Sequence, residues 1–424
     1  MGIRAVLAAL LIAGTALIHS SLHAGDNTVP TAQDLESWSS FVAKLAPLEQ
    51  RMLDKIPAHL RDDPAVRQRA WRLLLMATAR TAIDALVGDR RHPMFVPEIN
   101  LAINLYQPNA DTIYKSALIE PEGTYRITGN RGTILFAKLG QLGPDMLRTG
   151  QPSAPLSYLD LDDVADQSGR FSVVISPEKP TGYDGHWWQL DPKAIKLMLR
   201  QVGYDWANEL DTSIAIERLD TPAAKPVLDP GYMSDALAEL PNMIGNASTF
   251  FVDHVDALRK EGYINKLKVF DVSQMSGLVG QCYYEGAYDI RNDEALIVSV
   301  KVPDVCKYWS LILTNDLYET TDWYNNHSSL NGAQAKLDAD GYFRAVISAR
   351  DPGVHNWLDT AGFTSGAIQG RWLDCSGTPM PDVQKVAIDD VRKHLPADTA
   401  LVSPAQRDEI IRARRAAFQQ RRLW

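Results

Sequence analysis

The sequence predicts a mainly β protein with helical N-terminal, connector and C-terminal segments, its strands arranged as sandwiches or a jelly roll rather than as a parallel sheet. Two observations carry this. Short runs rich in β-branched and aromatic residues recur on both sides of the chain's middle, with turn chemistry between them. Apolar residues at three- and four-residue steps are confined to the start of the chain, a central connector and the C-terminal end.

Residues 1–24 read as an export signal. Arg4 supplies a positive start, 5–18 are apolar, and Leu22-His23-Ala24 ends on a small residue before Gly25. The apolar run is too short for a comfortable membrane span. No later segment is apolar enough to cross a bilayer, so the protein is expected to be exported, either periplasmic or secreted. Residues 25–90 follow as a helical segment. Leu35, Trp38, Phe41, Val42, Leu45 and Leu48 keep a helical period, and Asp63 before Pro64 is a helix start whose carboxylate caps free amides. Residues 91–220 form a first β module, opened by Pro93, Pro97, Pro108 and Pro121. Within it, 125–128 and 133–136 flank Gly129-Asn130 as a hairpin would; 171–175 and 213–219 are strands; Asp191-Pro192 opens a short helix to about Gly203. Residues 221–262 are a connector with a helix over 241–258. Residues 263–380 return to β texture, with strands at 295–302, 308–313, 343–348 and 366–373 and a tight turn at Asp338-Ala339-Asp340-Gly341. Residues 381–424 close the chain with helices near 382–394 and 404–421, the second capped by Ser403.

Composition narrows the function. The 424 residues carry a formal charge of -9, which repels phosphate backbones and argues against a nucleic-acid partner. The basic run at 412–422 reads as the solvated face of the last helix. Cys282, Cys306 and Cys375 are too few for a disulfide scaffold; an exported protein can pair two of them and must leave one. There is no CxxC, GxGxxG, GxxxxGK[ST], GxSxG or HExxH, so no redox dithiol, nucleotide cradle, nucleophile elbow or zinc helix is indicated. Ser176-Pro177-Glu178-Lys179 fits S-x-x-K only formally and reads as a surface turn. No cofactor is expected. No tightly bound metal is expected either, because Asp111, Asp322, Asp351, His355 and Asp359 sit at no recognised ligand spacing.

Three stretches could carry chemistry, and each also suits a purely structural role. In the block 108–114, Asp111 and Tyr114 fit a pocket wall as base and hydroxyl donor, or a turn that feeds a strand. In 351–362, His355 titrates near neutral pH and Asp359 could orient it; the same residues suit a packed loop around Trp357. In 315–331, amides beside rings suit neutral polar ligands, with Asn reading hydroxyls and rings stacking on apolar faces. The expected catalytic set is Asp359, His355, Asp111 and Tyr114. The expected binding set is Asn315, Tyr324, Asn326, Asn331, Asn356, Trp309, Trp323, Trp357 and Arg371, the last holding a carboxylate or orienting Asp359. The expected ligand is a neutral polar small molecule or carbohydrate, acted on by acid–base chemistry in a hollow shared by the loops around 111 and 356. The alternatives are a ligand-binding protein without chemistry and a structural envelope protein, with room for a homo-oligomer.

The second half also resembles a family. Tyr308-Trp309-Ser310, Asn315, Ser329-Leu330-Asn331, Asp340-Gly341, Asp351-Pro352-Gly353, the run from Asn356 to Gly362 and Arg371-Trp372 are similar to the domain-of-unknown-function family 1214. The Asn109–Tyr114 block resembles its companion, family 1254. The resemblance implies a helical N-terminal piece and two β-sandwich domains, the first immunoglobulin-like and the second jelly-roll-like. It implies no catalytic residues.

Overall fold

The computed structural model describes residues 35–424 apart from 145, 153–154, 228, 273–276 and 279. The expected export signal and the first residues of the N-terminal helical segment lie outside the described residues. Helices α1 (Trp38–Leu45), α2 (Pro47–Lys55) and α3 (Pro64–Val87) come first. Asp63 accepts from the amides of Ala65 and Val66, and Pro64 fills the first turn of α3, as its sequence predicts. Then come β1 (Val96–Pro97), β2 (Thr112–Leu118), β3 (Tyr125–Asn130), β4 (Phe136–Leu142), a short α4 (Met146–Thr149), β5 (Pro155–Asp160), β6 (Arg170–Ser176), β7 (His186–Gln189), β8 (Lys196–Val202) and β9 (Ser213–Arg218). The connector holds α5 (Pro230–Thr249) and α6 (His254–Lys260). The second half adds β10 (Lys268–Phe270), β11 (Gln281–Asp289), β12 (Glu294–Lys301), β13 (Cys306–Leu313), β14 (Ser329–Asn331), β15 (Tyr342–Ser348), β16 (Trp357–Asp359), β17 (Ser365–Cys375), β18 (Asp382–Ala387) and α7 (Pro404–Gln420).

The fold is mainly β and contains two sandwiches. The sheets β1-β2-β8-β4-β5 and β7-β6-β3-β9 close over Ile127, Leu139, Phe171, Val173, Leu197 and Leu199. The sheets β10-β11-β17-β13-β14 and β16-β15-β12-β18 close over Tyr284, Val298, Leu311, Phe343, Ile368 and Trp372. The helices α1–α3 and α5 share a separate core built on Met52, Leu73, Met76, Met243 and Ile244.

Strand alternation then fixes what lies between the sandwiches. Successive side chains of a strand point to opposite faces. Because Leu197 and Leu199 enter the first core, Lys196, Met198 and Arg200 point away from it. Because Tyr284, Ile368 and Trp372 enter the second core, Tyr283, Glu285, Gln369 and Arg371 point away from that one. These two outward faces are turned toward each other. Phe136 and Val202 of the first pack against Tyr308 and Leu373 of the second in a third apolar layer. The disulfide Cys306–Cys375 joins β13 to β17 at directly paired positions and leaves Cys282 free.

Several local expectations are corrected. Gly129 and Asn130 are not a hairpin turn: they lie inside β3, paired on one side with Phe171 and Arg170 and on the other with Ile214 and Ser213. Both edges of β3 are taken, so the chain crosses to the opposite sheet before β4. Asp191-Pro192 opens a turn, not a helix. Asp191 accepts from the Lys193 amide at 2.8 Å, and β8 follows as a strand paired on both sides. The apolar 241–258 stretch begins earlier, at Pro230, and breaks into α5 and α6. The 382–394 helix is instead β18 followed by a 3-10 turn (Ile388–His394). The basic run is not simply a solvated face, since Arg414 and Arg421 are buried. With Arg407 they form a ladder at seven-residue spacing. Arg407 donates to Asp351 Oδ2 at 2.9 Å; Arg414 donates to the Trp323 carbonyl, Ser329 and Gln334; Arg421 donates to Asp211 at 2.9 Å and to the Asp111 carbonyl at 2.8 Å. Helix α7 thereby fastens loops of the second sandwich to the first.

Candidate functional site

Between the facing sheets, beside their apolar layer, lies a cavity of about 190 Å³. Tyr114, Lys196, Met198 and Arg200 reach it from β2 and β8 because they share the outer face of one sheet. Tyr283, Gln369 and Arg371 reach it from β11 and β17 because they share the outer face of the other. Phe250 and Phe251 close it from the end of α5, and Tyr106 and Gln107 from the loop before β2.

Its charges are unequally compensated. Lys196 donates to Glu98 Oε1 at 3.1 Å, and Arg80 and Ser116 both hold Glu98 Oε2. Burial alone would raise the Glu98 carboxyl, but the Arg80 guanidinium and the Lys196 ammonium overcome it and hold it well below the ordinary range. Arg371 differs. It is 3% exposed, and among the described residues no carboxylate lies within 4 Å of it. Its Nη2 donates to Gln369 Oε1 at 2.6 Å and to Gln107 Oε1 at 3.1 Å, and its guanidinium lies over the Tyr283 ring at 5.1 Å. Its Nη1 has no hydrogen-bond partner, and neither has Nε2 of the adjoining Gln107. Buried donors are normally satisfied, so two orphans on hydrogen-bonded side chains that both line the cavity call for an acceptor.

Behind the arginine runs a buried polar chain. Gln369 Nε2 donates to the Tyr318 hydroxyl at 2.8 Å, that hydroxyl donates to Glu285 Oε2 at 3.3 Å, and His254 Nε2 donates to the same carboxylate at 3.0 Å. Burial first, and the Glu285 charge second, push the Tyr318 phenol well above its ordinary value, so it stays a neutral hydroxyl. The chain fixes Gln369 and, through it, the guanidinium.

The backbone is also strained here. Among the described residues six non-glycine residues have positive φ, and three of them line this cavity: Tyr106 (59°), Gln107 (58°) and Tyr318 (63°). Left-handed conformations cost bulky residues about 1–3 kcal/mol each and cluster at functional sites.

Of the residues singled out from sequence, the structure brings only Tyr114 and Arg371 to this cavity. Asp111 is buried instead as a structural hub, accepting from Tyr308 at 2.8 Å, Asn331 at 2.7 Å and Trp206 at 2.9 Å. Desolvation raises its pKa, while those three donors work to lower it. Asn331 also accepts the amides of Ala333 and Gln334. His355 Nε2 donates to the Gln334 carbonyl at 3.0 Å, and among the described residues no carboxylate lies within 4 Å of the ring. Asp359 accepts the Ala361 amide at 2.7 Å. Asp111 is therefore linked to His355 through Asn331 and Gln334, and neither residue lines the cavity between the sheets. Asn315 holds the amides of Leu317 and Glu319, and Asn356 bonds the backbone of Lys336 and Arg344. Trp309 packs on Phe343, Trp323 on Phe418, Tyr324 stacks on Phe418, and Trp357 donates to Ser348. Asn326 is half-buried away from the cavity. An amide next to a ring satisfies its own backbone as readily as it reads a ligand, which is why these residues misled.

Sequence reasoning missed Gln107, Gln369, Tyr283, Tyr318 and the His254–Glu285 pair. One signal was present. Gln369 and Arg371 alternate with apolar residues in the middle of a long strand, as do Lys196 and Arg200 in β8. Buried strands bear such polar faces when another layer covers them. Among the described residues no cluster of three His, Cys, Asp or Glu side chains could hold a metal ion, and no helix is long and apolar enough to cross a membrane.

Fold and site together define a mainly β, two-sandwich protein with a cation-bearing cavity between its halves. Residues 287–366 match a family described as a protein of unknown function, DUF1214. A crystal structure of an uncharacterized protein from Burkholderia cenocepacia is similar over 84% of this chain and 97% of that one, with 26% sequence identity and a TM-score of 0.76. A second structure, from Vibrio parahaemolyticus, aligns with 75% of this chain and 98% of that one at 12% identity and a TM-score of 0.43. No curated protein matches this chain.

Proposed function

We propose that this is an exported ligand-binding protein whose interdomain cavity captures a small organic anion. One observation carries the reading: Arg371 is a buried cation on the cavity wall, with no carboxylate partner among the described residues and one nitrogen unsatisfied. A buried guanidinium without a counter-charge is costly, and an incoming carboxylate relieves that cost through charge-assisted hydrogen bonds. A neutral sugar is a poorer fit: its hydroxyls can accept from the orphaned donors but bring no charge to offset the buried guanidinium. The expected acid–base set of Asp359, His355 and Asp111 does not face this cavity, so capture takes precedence over chemistry. Export is supported by the N-terminal signal pattern and by a disulfide of the kind oxidising compartments sustain. For the first sandwich, the resemblance to family 1254 rests on the Asn109–Tyr114 block.

Calorimetric titration of the full chain with hexanoate and benzoate, against hexanol and benzyl alcohol, tests this. The acids should bind and the alcohols should not. Arg371→Gln should lower acid affinity by about 10- to 100-fold, the scale of a hydrogen bond to a charged group. Equal binding of the alcohols, or an unchanged affinity in a folded Arg371→Gln variant, would falsify the reading.

A further inference from the structure

We infer that the anion held in this cavity is a planar carboxylate on a single aromatic ring; the inference rests on the organic-anion reading above and names its ligand class. Three features carry it. The first is the donor pair. Arg371 Nη2 donates to Gln107 Oε1 at 3.1 Å, and each of these two linked side chains keeps one buried nitrogen without a partner. Two donors on hydrogen-bonded neighbours can serve the two oxygens of one carboxylate. The second is the charge. Lys196, Arg200 and Arg371 all line the cavity; Lys196 is paired with Glu98 at 3.1 Å, Arg200 donates to the Tyr158 hydroxyl at 2.9 Å, and among the described residues Arg371 has no carboxylate within 4 Å. A carboxylate supplies the counter-charge that this guanidinium lacks.

The third is the ring lining. Tyr106, Phe250 and Phe251 form a mutually edge-on group with centroids 6.1, 6.3 and 4.7 Å apart. Phe270 and Tyr283, which also line the cavity, meet edge to face at 6.5 Å, and Tyr283 is the ring on which Arg371 lies. Rings in these arrangements present faces and edges to a further ring, an attraction beyond simple burial. The volume is sufficient: a cavity of about 150 Å³ holds one benzene ring, and this one, at about 190 Å³, accommodates a ring with its carboxylate. The strained backbone of Tyr106 and Gln107 sets a wall ring and a clamp nitrogen into the same cavity.

The test is titration of the full chain with benzoate, with hexanoate as a flexible acid and benzamide as a neutral planar ring. Benzoate should bind about tenfold more tightly than either, the scale of one to two aromatic contacts. Phe251→Leu, which removes the ring, should bring the benzoate-to-hexanoate affinity ratio to within about threefold of unity. Hexanoate binding as tightly as benzoate, in an Arg371-dependent way, overturns the aromatic assignment and leaves the anion reading standing. Benzamide binding as tightly as benzoate overturns the anion reading itself. Failure of all three probes at millimolar concentration overturns both. Because the benzoate-to-hexanoate ratio is read on the unmodified protein, the inference stands or falls even where Phe251→Leu misfolds.

Discussion

Asp359 shows how a residue can look catalytic and be conformational. Burial raises its carboxyl to about 6, the Ala361 amide pulls the other way, and the nearby Asp351 charge adds to the rise. The folded protein therefore holds this proton more tightly than the unfolded chain. Its contribution to stability is complete below about pH 4 and is lost as pH rises through about 6. Asp359→Asn removes that loss while keeping an acceptor for Ala361. The variant should match the parent at pH 4 and exceed it by about 1–3 kcal/mol at pH 7.5, measured by urea unfolding at the two pH values. An equal deficit at both would show that the side chain does something other than carry a buried charge. At this scale Arg371 was legible, because an arginine in mid-strand demands an explanation. Gln107 and Tyr318 were not. A left-handed backbone leaves no mark on a tyrosine or a glutamine in the sequence, and only the fold brings residues 107, 318 and 371 together.

Among the elements, α7 and β8 teach opposite lessons. Helix α7 was legible as a helix down to its cap, with Ser403 and Gln406 closing a reciprocal capping box. Its role was not, because a basic run is usually a solvated face and here every seventh arginine turns inward. Arg414 lies over the Trp206 ring at 4.4 Å and satisfies a buried carbonyl and two side chains of the second sandwich. Arg414→Ala should cost about 3 kcal/mol or more, since it leaves those acceptors buried and unpaired. Arg412→Ala, on the exposed side of the same helix beside Asp408, should cost no more than about 0.5 kcal/mol. Thermal melts of the two variants side by side check the contrast, and equal losses would deny the ladder its role. Strand β8 misled because a proline after an acidic residue is a helix-start signal. What decides it is the two-residue alternation of Leu197 and Leu199 with Lys196, Met198 and Arg200, which only a sheet covered on both faces can use.

For the molecule as a whole, the two sandwiches and the flanking helices were legible from recurrent strand runs and the spacing of apolar residues. The way the sandwiches stack was not, since no local pattern tells which outer face meets which. The disulfide at Cys306–Cys375 acts at this level. It closes 69 residues of chain, including most of the second sandwich, and so restricts the unfolded ensemble more than it adds to the folded one. Cys306→Ser should lower stability by about 2–4 kcal/mol, and a reducing agent should do the same to the parent while leaving the variant unchanged. Insensitivity of the parent to reduction would show that the bridge has no such effect.

Tyr106, Gln107 and Tyr318 carry one more implication. Each holds a left-handed backbone that glycine would adopt without strain, so the side chain it keeps must offset that cost. Tyr318 does so inside the fold, through burial and its bonds to Gln369 and Glu285, whereas Gln107 still has a nitrogen without a partner. The tension is local, it sits beside the hollow, and a guest that gripped those side chains would turn the liability into a fit.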